Sequence, residues 1–202
     1  MKRALRALGG IGGVGILIAC SGSTGTEPTG TESKQRAAAI ESTADAKLAF
    51  AYLKAEAEHI DGQVNANFSG PLSIAGAAGS ASVTGSKTST RTSSSSSTFS
   101  SSISDLNVSF AAFRSSASGA AVSGQIRWTD YYSSRTACTS SYCATSSHYS
   151  QSLDGTSIDV TFSSSGKTYH DRLTVDAGRA DVTSWSVDLT NGAGQKFSFY
   201  YP

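Results

Sequence analysis

The chain reads as mainly β, an α+β protein. One N-terminal helix precedes a curved antiparallel meander sheet or barrel of about nine or ten strands. Three observations predict this. From residue 62 to 202, apolar residues recur at every second position, with Ser, Thr, Asn or Asp mostly between them. Gly-containing turn pairs separate the alternating runs. Residues 34–61, by contrast, contain no Gly or Pro and are rich in Ala, Glu and Lys, which are good helix formers.

Composition narrows the functional classes. Of 202 residues, 39 are Ser and 20 are Thr, while only 15% are charged and the net charge is +1. Leu, Ile, Val and Phe total 36, a low share that raises the question of disorder. Disorder of that kind also needs high net charge, which is lacking. No basic face is concentrated enough for nucleic acid. No apolar run reaches the roughly 18 residues of a membrane-spanning helix.

The first element is an export segment, residues 1–19. Lys2, Arg3 and Arg6 precede a Gly-rich apolar stretch that is too short to span a bilayer. It ends in Leu17-Ile18-Ala19-Cys20. This string resembles the lipobox of bacterial lipoproteins. The resemblance implies cleavage before Cys20, a diacylglycerol on its sulfur and acylation of the new amino terminus. Two or three acyl chains would hold the protein firmly on a membrane. Ser21 follows Cys20, where a retention signal would have Asp; by the same resemblance the outer membrane is favoured if the cell has one. Losing residues 1–19 removes three basic groups and leaves 13 basic against 15 acidic, a net −2. Residues 20–33 follow as the lipidated Cys and a flexible Gly/Ser/Thr/Pro tether.

Residues 34–61 form the predicted helix, with Thr31 or Ser33 as cap and Gly62 as stop. Ile40, Ala44, Leu48, Ala51, Tyr52 and Ala55 share one side; Phe50, Leu53 and Ile60 share another. The helix can therefore pack on a sheet with one face and a partner with the other, or on its own domain alone.

The β domain spans residues 62–202. Its turns are expected at Ser118-Gly119, Asp154-Gly155, Ser165-Gly166, Ala177-Gly178 and Asn191-Gly192. A weak repeat runs through it. Ala81-Ser82-Val83-Thr84-Gly85 echoes Ala121-Val122-Ser123-Gly124. Each is followed by a polar stretch and then a matched run, Leu106-Asn107-Val108-Ser109-Phe110 or Ile158-Asp159-Val160-Thr161-Phe162. A duplicated strand–long hairpin–strand unit accounts for this, with residues 93–97 as the first tip or a disordered loop. The segment from Gly70-Pro71-Leu72-Ser73-Ile74 to Gly85 also resembles Ser/Thr/Gly-rich β-domains of uncharacterised envelope lipoproteins. That resemblance implies an architecture and no activity.

With Cys20 lipidated, Cys138 and Cys143 remain, at hairpin spacing in an exported chain. A disulfide is the expected outcome. Trp128, Tyr131, Tyr132, Tyr142 and Tyr149 gather along the same hairpin. They form either a contact surface for glycan or protein, or a core Trp with ordinary strand tyrosines. His59, His148 and His170 form no triad by spacing, and no G-x-S-x-G elbow is present. Asp154, Asp159, Asp176 and Asp181 lie near expected turns but without a Ca²⁺-loop pattern. No metal, cofactor or catalysis is therefore expected. The expected role is a non-catalytic, lipid-anchored cell-envelope protein, structural or surface-interacting. The alternative is a binding module whose curved sheet takes a lipid, another hydrophobic ligand or a glycan. Expected partners are the membrane, through Cys20, and an envelope protein, glycan or lipid; nucleic acid is not expected.

Overall fold

Ser42 sets where the helix begins. Its backbone is extended, and its hydroxyl accepts the N–H of Asp45 at 3.1 Å, satisfying a donor that the first turn leaves open. The computed structural model describes residues 37–180 and 184–202. In it, α1 runs Thr43–Gln63, shorter at its start than the sequence predicts. Residues 37–42 are extended because Ala38 forms a parallel bridge to Tyr169 and Ile40 is drawn into the core. The buried stripe is Ala46, Ala49, Phe50, Leu53, Ala57 and Ile60, at helical spacing. Of the other expected face, Ala44, Leu48 and Ala55 are exposed, whereas Tyr52 stacks on Phe162 at 4.9 Å and Ile40 is buried.

Nine strands follow: β1 Phe68–Ser69, β2 Leu72–Ala75, β3 Ala78–Ser93, β4 Ser97–Arg114, β5 Ala121–Cys138, β6 Cys143–Ser164, β7 Lys167–Ala180, β8 Trp185–Thr190 and β9 Lys196–Tyr201. All pair antiparallel in one sheet of order β1-β3-β4-β5-β6-β7-β8-β9, with β2 beside β3. The predicted meander is therefore present. The sheet is open: β1 and β2 lie on one edge and β9 on the other, so the barrel alternative is corrected. Asp154-Gly155 and Ala177-Gly178 are not turns. They lie inside β6 and β7, paired across to Asp176–Val175 and to Leu153–Ser152. Their strand partners complete the backbone hydrogen bonds, which overrides the local turn preference. Ser165-Gly166 does form a tight turn with both residues at positive φ, and Asn191-Gly192 lies in the connection from β8 to β9.

One face of the sheet holds the core against α1. Phe50 sits edge-on to Trp185 at 5.7 Å and to Tyr201 at 5.3 Å, and Trp185 lies 5.9 Å from Trp128. Burial of this apolar stripe holds α1 on the sheet. Glu56 is buried beside it and accepts the N–H of Ser115, tying α1 to the connection between β4 and β5.

The internal repeat is visible as geometry. Gly85 and Gly124 have φ of +116° and +117°. A Cβ on Gly85 would lie 3.2 Å from Leu106 Cα, and one on Gly124 would lie 3.1 Å from Ile158 Cα. Each glycine thus backs onto the first residue of one of the two matched runs. The left-handed φ and the close approach both demand the missing side chain. Register shifts between Phe110 and Phe113, Ser123 and Gln125, and Gly155 and Ile158 bend these strands in the half of the sheet that α1 covers.

Candidate interaction surface

The four long strands outrun the helix. Where α1 ends, the register aligns Lys87, Ser104, Asp130, Gln151 and Arg179 across β3 to β7. Beyond that row no residue in 88–103 or 131–149 is buried. The strands there form a four-stranded blade, wet on both faces. From Asp130 to Cys138 it extends about 27 Å, at roughly 3.4 Å per residue. Its side chains explain the exposure. Rungs such as Arg91–Ser100–Ser134–Ser147 and Ser93–Thr98–Thr136–Thr145 offer no apolar group to bury.

Backbone pairing and hydroxyl bridges hold the blade together. Thr90 and Ser101 hydroxyls meet at 2.7 Å, and Thr136 and Thr145 at 2.9 Å. At the tip, Cys138 and Cys143 are direct partners with sulfurs 2.07 Å apart, so the expected disulfide pair is brought together. The Cys138 N–H donates to Ser96 C=O, which joins the two hairpin tips.

The structure separates the predicted aromatic set. Trp128 is 1% exposed and belongs to the core, so its place in a binding surface is corrected; two-residue alternation puts it on the helix side. Tyr131 points to the other face, 5.6 Å from the His148 ring. Tyr132 and Tyr149 are cross-strand partners on the helix side. Tyr132 is 40% exposed, while Arg179 covers Tyr149, stacking 4.7 Å from its ring and donating to its hydroxyl at 2.6 Å. Burial pushes the Tyr149 hydroxyl above its ordinary pKa. Tyr142 is 69% exposed at the tip. Sequence reading missed Phe99 and Ile103, exposed on the face opposite Tyr132. Their signal was faint: single apolar residues in a Ser-rich run. Cys20 lies outside the described residues.

No protein-family model matches the chain, and no curated protein or solved structure matches it significantly.

The remaining polar groups are dispersed. His170 pairs with Thr161 at 2.8 Å, and His59 lies against Phe113. Asp159 pairs with Arg172, and Asp105 takes both arms of Arg127, which holds its carboxyl below the ordinary range. Asp154, Asp176 and Asp188 stand in one cross-strand row on the outer face. Burial, chiefly, raises the Asp154 pKa, and Asp176 beside it adds to the rise. Among the described residues, no group of three or more His, Cys, Asp or Glu is placed to hold a metal. Asp181 lies outside them. Among the same residues, no helix is long and apolar enough to cross a membrane.

Proposed function

We propose that this is a lipid-anchored cell-envelope protein with a non-catalytic role, and that the blade is its contact surface. One observation carries the second half. Among the described residues six large apolar or aromatic side chains are exposed, and four of them, Phe99, Ile103, Tyr132 and Tyr142, stand on the blade. Exposed aromatics on a rigid, weakly charged support favour contact through shape and hydrogen bonding. The anchor rests on the lipobox resemblance at Cys20. The alternative, a carrier of hydrophobic ligands, needs apolar space between helix and sheet. Phe50, Leu53 and Ile60, each fully buried, take up that space against Trp185 and its neighbours.

A photoreactive residue tests the surface. Placed at Tyr132 in intact cells, it is expected to capture a discrete envelope component, while one at Leu48 on the helix captures none. Equal labelling at both positions, or none at Tyr132, contradicts the reading. Cys20→Ala tests the anchor: the variant should leave the membrane fraction.

A further inference from the structure

β9 leaves a strand edge open. It pairs β8 from Lys196 to Tyr201 without a register shift, and among the described residues no strand pairs with its other edge. Such an edge presents unpaired N–H and C=O groups, a template for another strand. Elsewhere the helix-covered sheet is closed off. The short strands β1 and β2, separated by Gly70-Pro71, line β3, and Ala38 bonds to the stretch of β7 that β8 leaves. The usual guards of an edge are nearly absent from β9. Lys196 is its only charge, at one end, and no Pro or bulge interrupts the strand. Its side chains are aromatic on both faces. Tyr200, on the outer face, is 73% exposed, more than any other large apolar or aromatic side chain among the described residues. Phe199 and Tyr201, on the helix face, stay half-buried, edge-on to Phe50 at 6.3 and 5.3 Å.

We propose that β9 pairs antiparallel with β9 of a second copy of this chain, joining the two sheets across a two-fold axis. An axis perpendicular to the sheet makes the pairing antiparallel and sets helix face beside helix face. Residues of the same parity then oppose each other. Centred on Phe199, the pairing sets Phe199 against Phe199 and Phe197 against Tyr201 on the helix face, and Tyr200 against Ser198 on the outer face. Aromatic cross-strand pairs stabilise such a ladder. Centring on Ser198 instead sets Lys196 against Tyr200 and forfeits the Phe197–Tyr201 pairs. The Phe199 register carries the two Lys196 charges to opposite ends, each beside Pro202, which has no N–H to leave unpaired. One strand thus supplies both sides of the match, and this self-complementarity favours a second copy over a foreign strand. Six residues a side bury less than the roughly 1,600 Å² of a standard interface, so the dimer should be weak, with dissociation at about micromolar concentration.

Cysteine crosslinking of the full chain in native membranes tests this. Phe199→Cys, opposite itself across the axis, should oxidise to a dimer linked through that residue, while Ile103→Cys on the blade should not. Tyr200→Glu added to Phe199→Cys should lower the linked fraction about tenfold or more, because it brings a carboxylate against Ser198 and its partner Asp188 in the second copy. Tyr200 is exposed, so this change should leave the circular dichroism of the fold unaltered. If Phe199→Cys unfolds, a photoreactive residue at Tyr200 decides: its product should have twice the chain mass, with the link inside residues 196–201. Absence of a linked dimer, equal linking through Phe199→Cys and Ile103→Cys, or a dimer indifferent to Tyr200→Glu overturns the proposal. A photoproduct with a different protein, or with residues 21–36 of the same chain, does so as well.

Discussion

Asp171 Oδ2 accepts the backbone N–H of Ile40 at 2.9 Å, across 131 residues of chain. Its other oxygen accepts from Gly192 and Arg172, and Asn191 Nδ2 donates to the Ile40 C=O at 2.7 Å. With Ala38 bridged to β7, these bonds stitch the segment before α1 into the edge that β8 leaves open, since β8 pairs β7 only from Thr174 to Gly178. Ile40→Ala should cost about 3 kcal/mol in denaturant unfolding, by lost burial and a cavity. Asp171→Ala should cost about 1–3 kcal/mol, because it leaves backbone donors unpaired. A loss under about 0.5 kcal/mol for Ile40→Ala would show that the segment is dispensable.

Gly85→Ala should be among the most damaging surface-strand changes. Its Cβ would lie 2.1 Å from Asp105 C=O, at a φ that L residues rarely adopt. Gly124→Ala meets Ser157 C=O at 3.0 Å and should cost less. Paired melting curves check the order, with Gly85→Ala expected to lose about 2 kcal/mol or more.

The Cys138–Cys143 bridge closes a short loop, so reduction should cost about 2 kcal/mol at most. Most of that loss should be local. Exchange should accelerate at Thr136, Thr145 and the Ser96 contact, while core amides around Trp185 stay protected. Global unfolding on reduction would contradict this placement.

At the helix start, Asp45 accepts the Ser42 hydroxyl at 2.7 Å, and this bond chiefly holds the Asp45 pKa low. A lowered carboxyl contributes stability above its unfolded pKa, and the contribution fades as pH falls through the folded value. Ser42→Ala should cost about 1 kcal/mol near neutral pH. It should also raise the Asp45 midpoint toward the ordinary range, read by carboxyl NMR. Acid should then reduce the difference between variant and parent.

The β architecture was legible because alternation and antiparallel pairing are both local patterns. Val108, Val160 and Val187 point inward wherever their neighbours are wet. The helix start was not legible. Ile40 fits a helical face, and only Asp171 and Asn191, more than 130 residues away, show why it leaves the helix. Asp154-Gly155 misled for the same reason: a local turn preference was outweighed by partners on β5 and β7. Of the surface, Tyr132 and Tyr142 were legible as exposed aromatics. Trp128 was placed among them because sequence proximity does not reveal the face.

The proposed lipid on Cys20 can be measured more directly than contacts of the blade. Intact-mass and peptide mass spectrometry of the protein from its native membrane is expected to find a chain beginning at Cys20, carrying a diacylglycerol and, on its amino terminus, an acyl group. A chain retaining residues 1–19, or one beginning at Cys20 without lipid, would contradict the account.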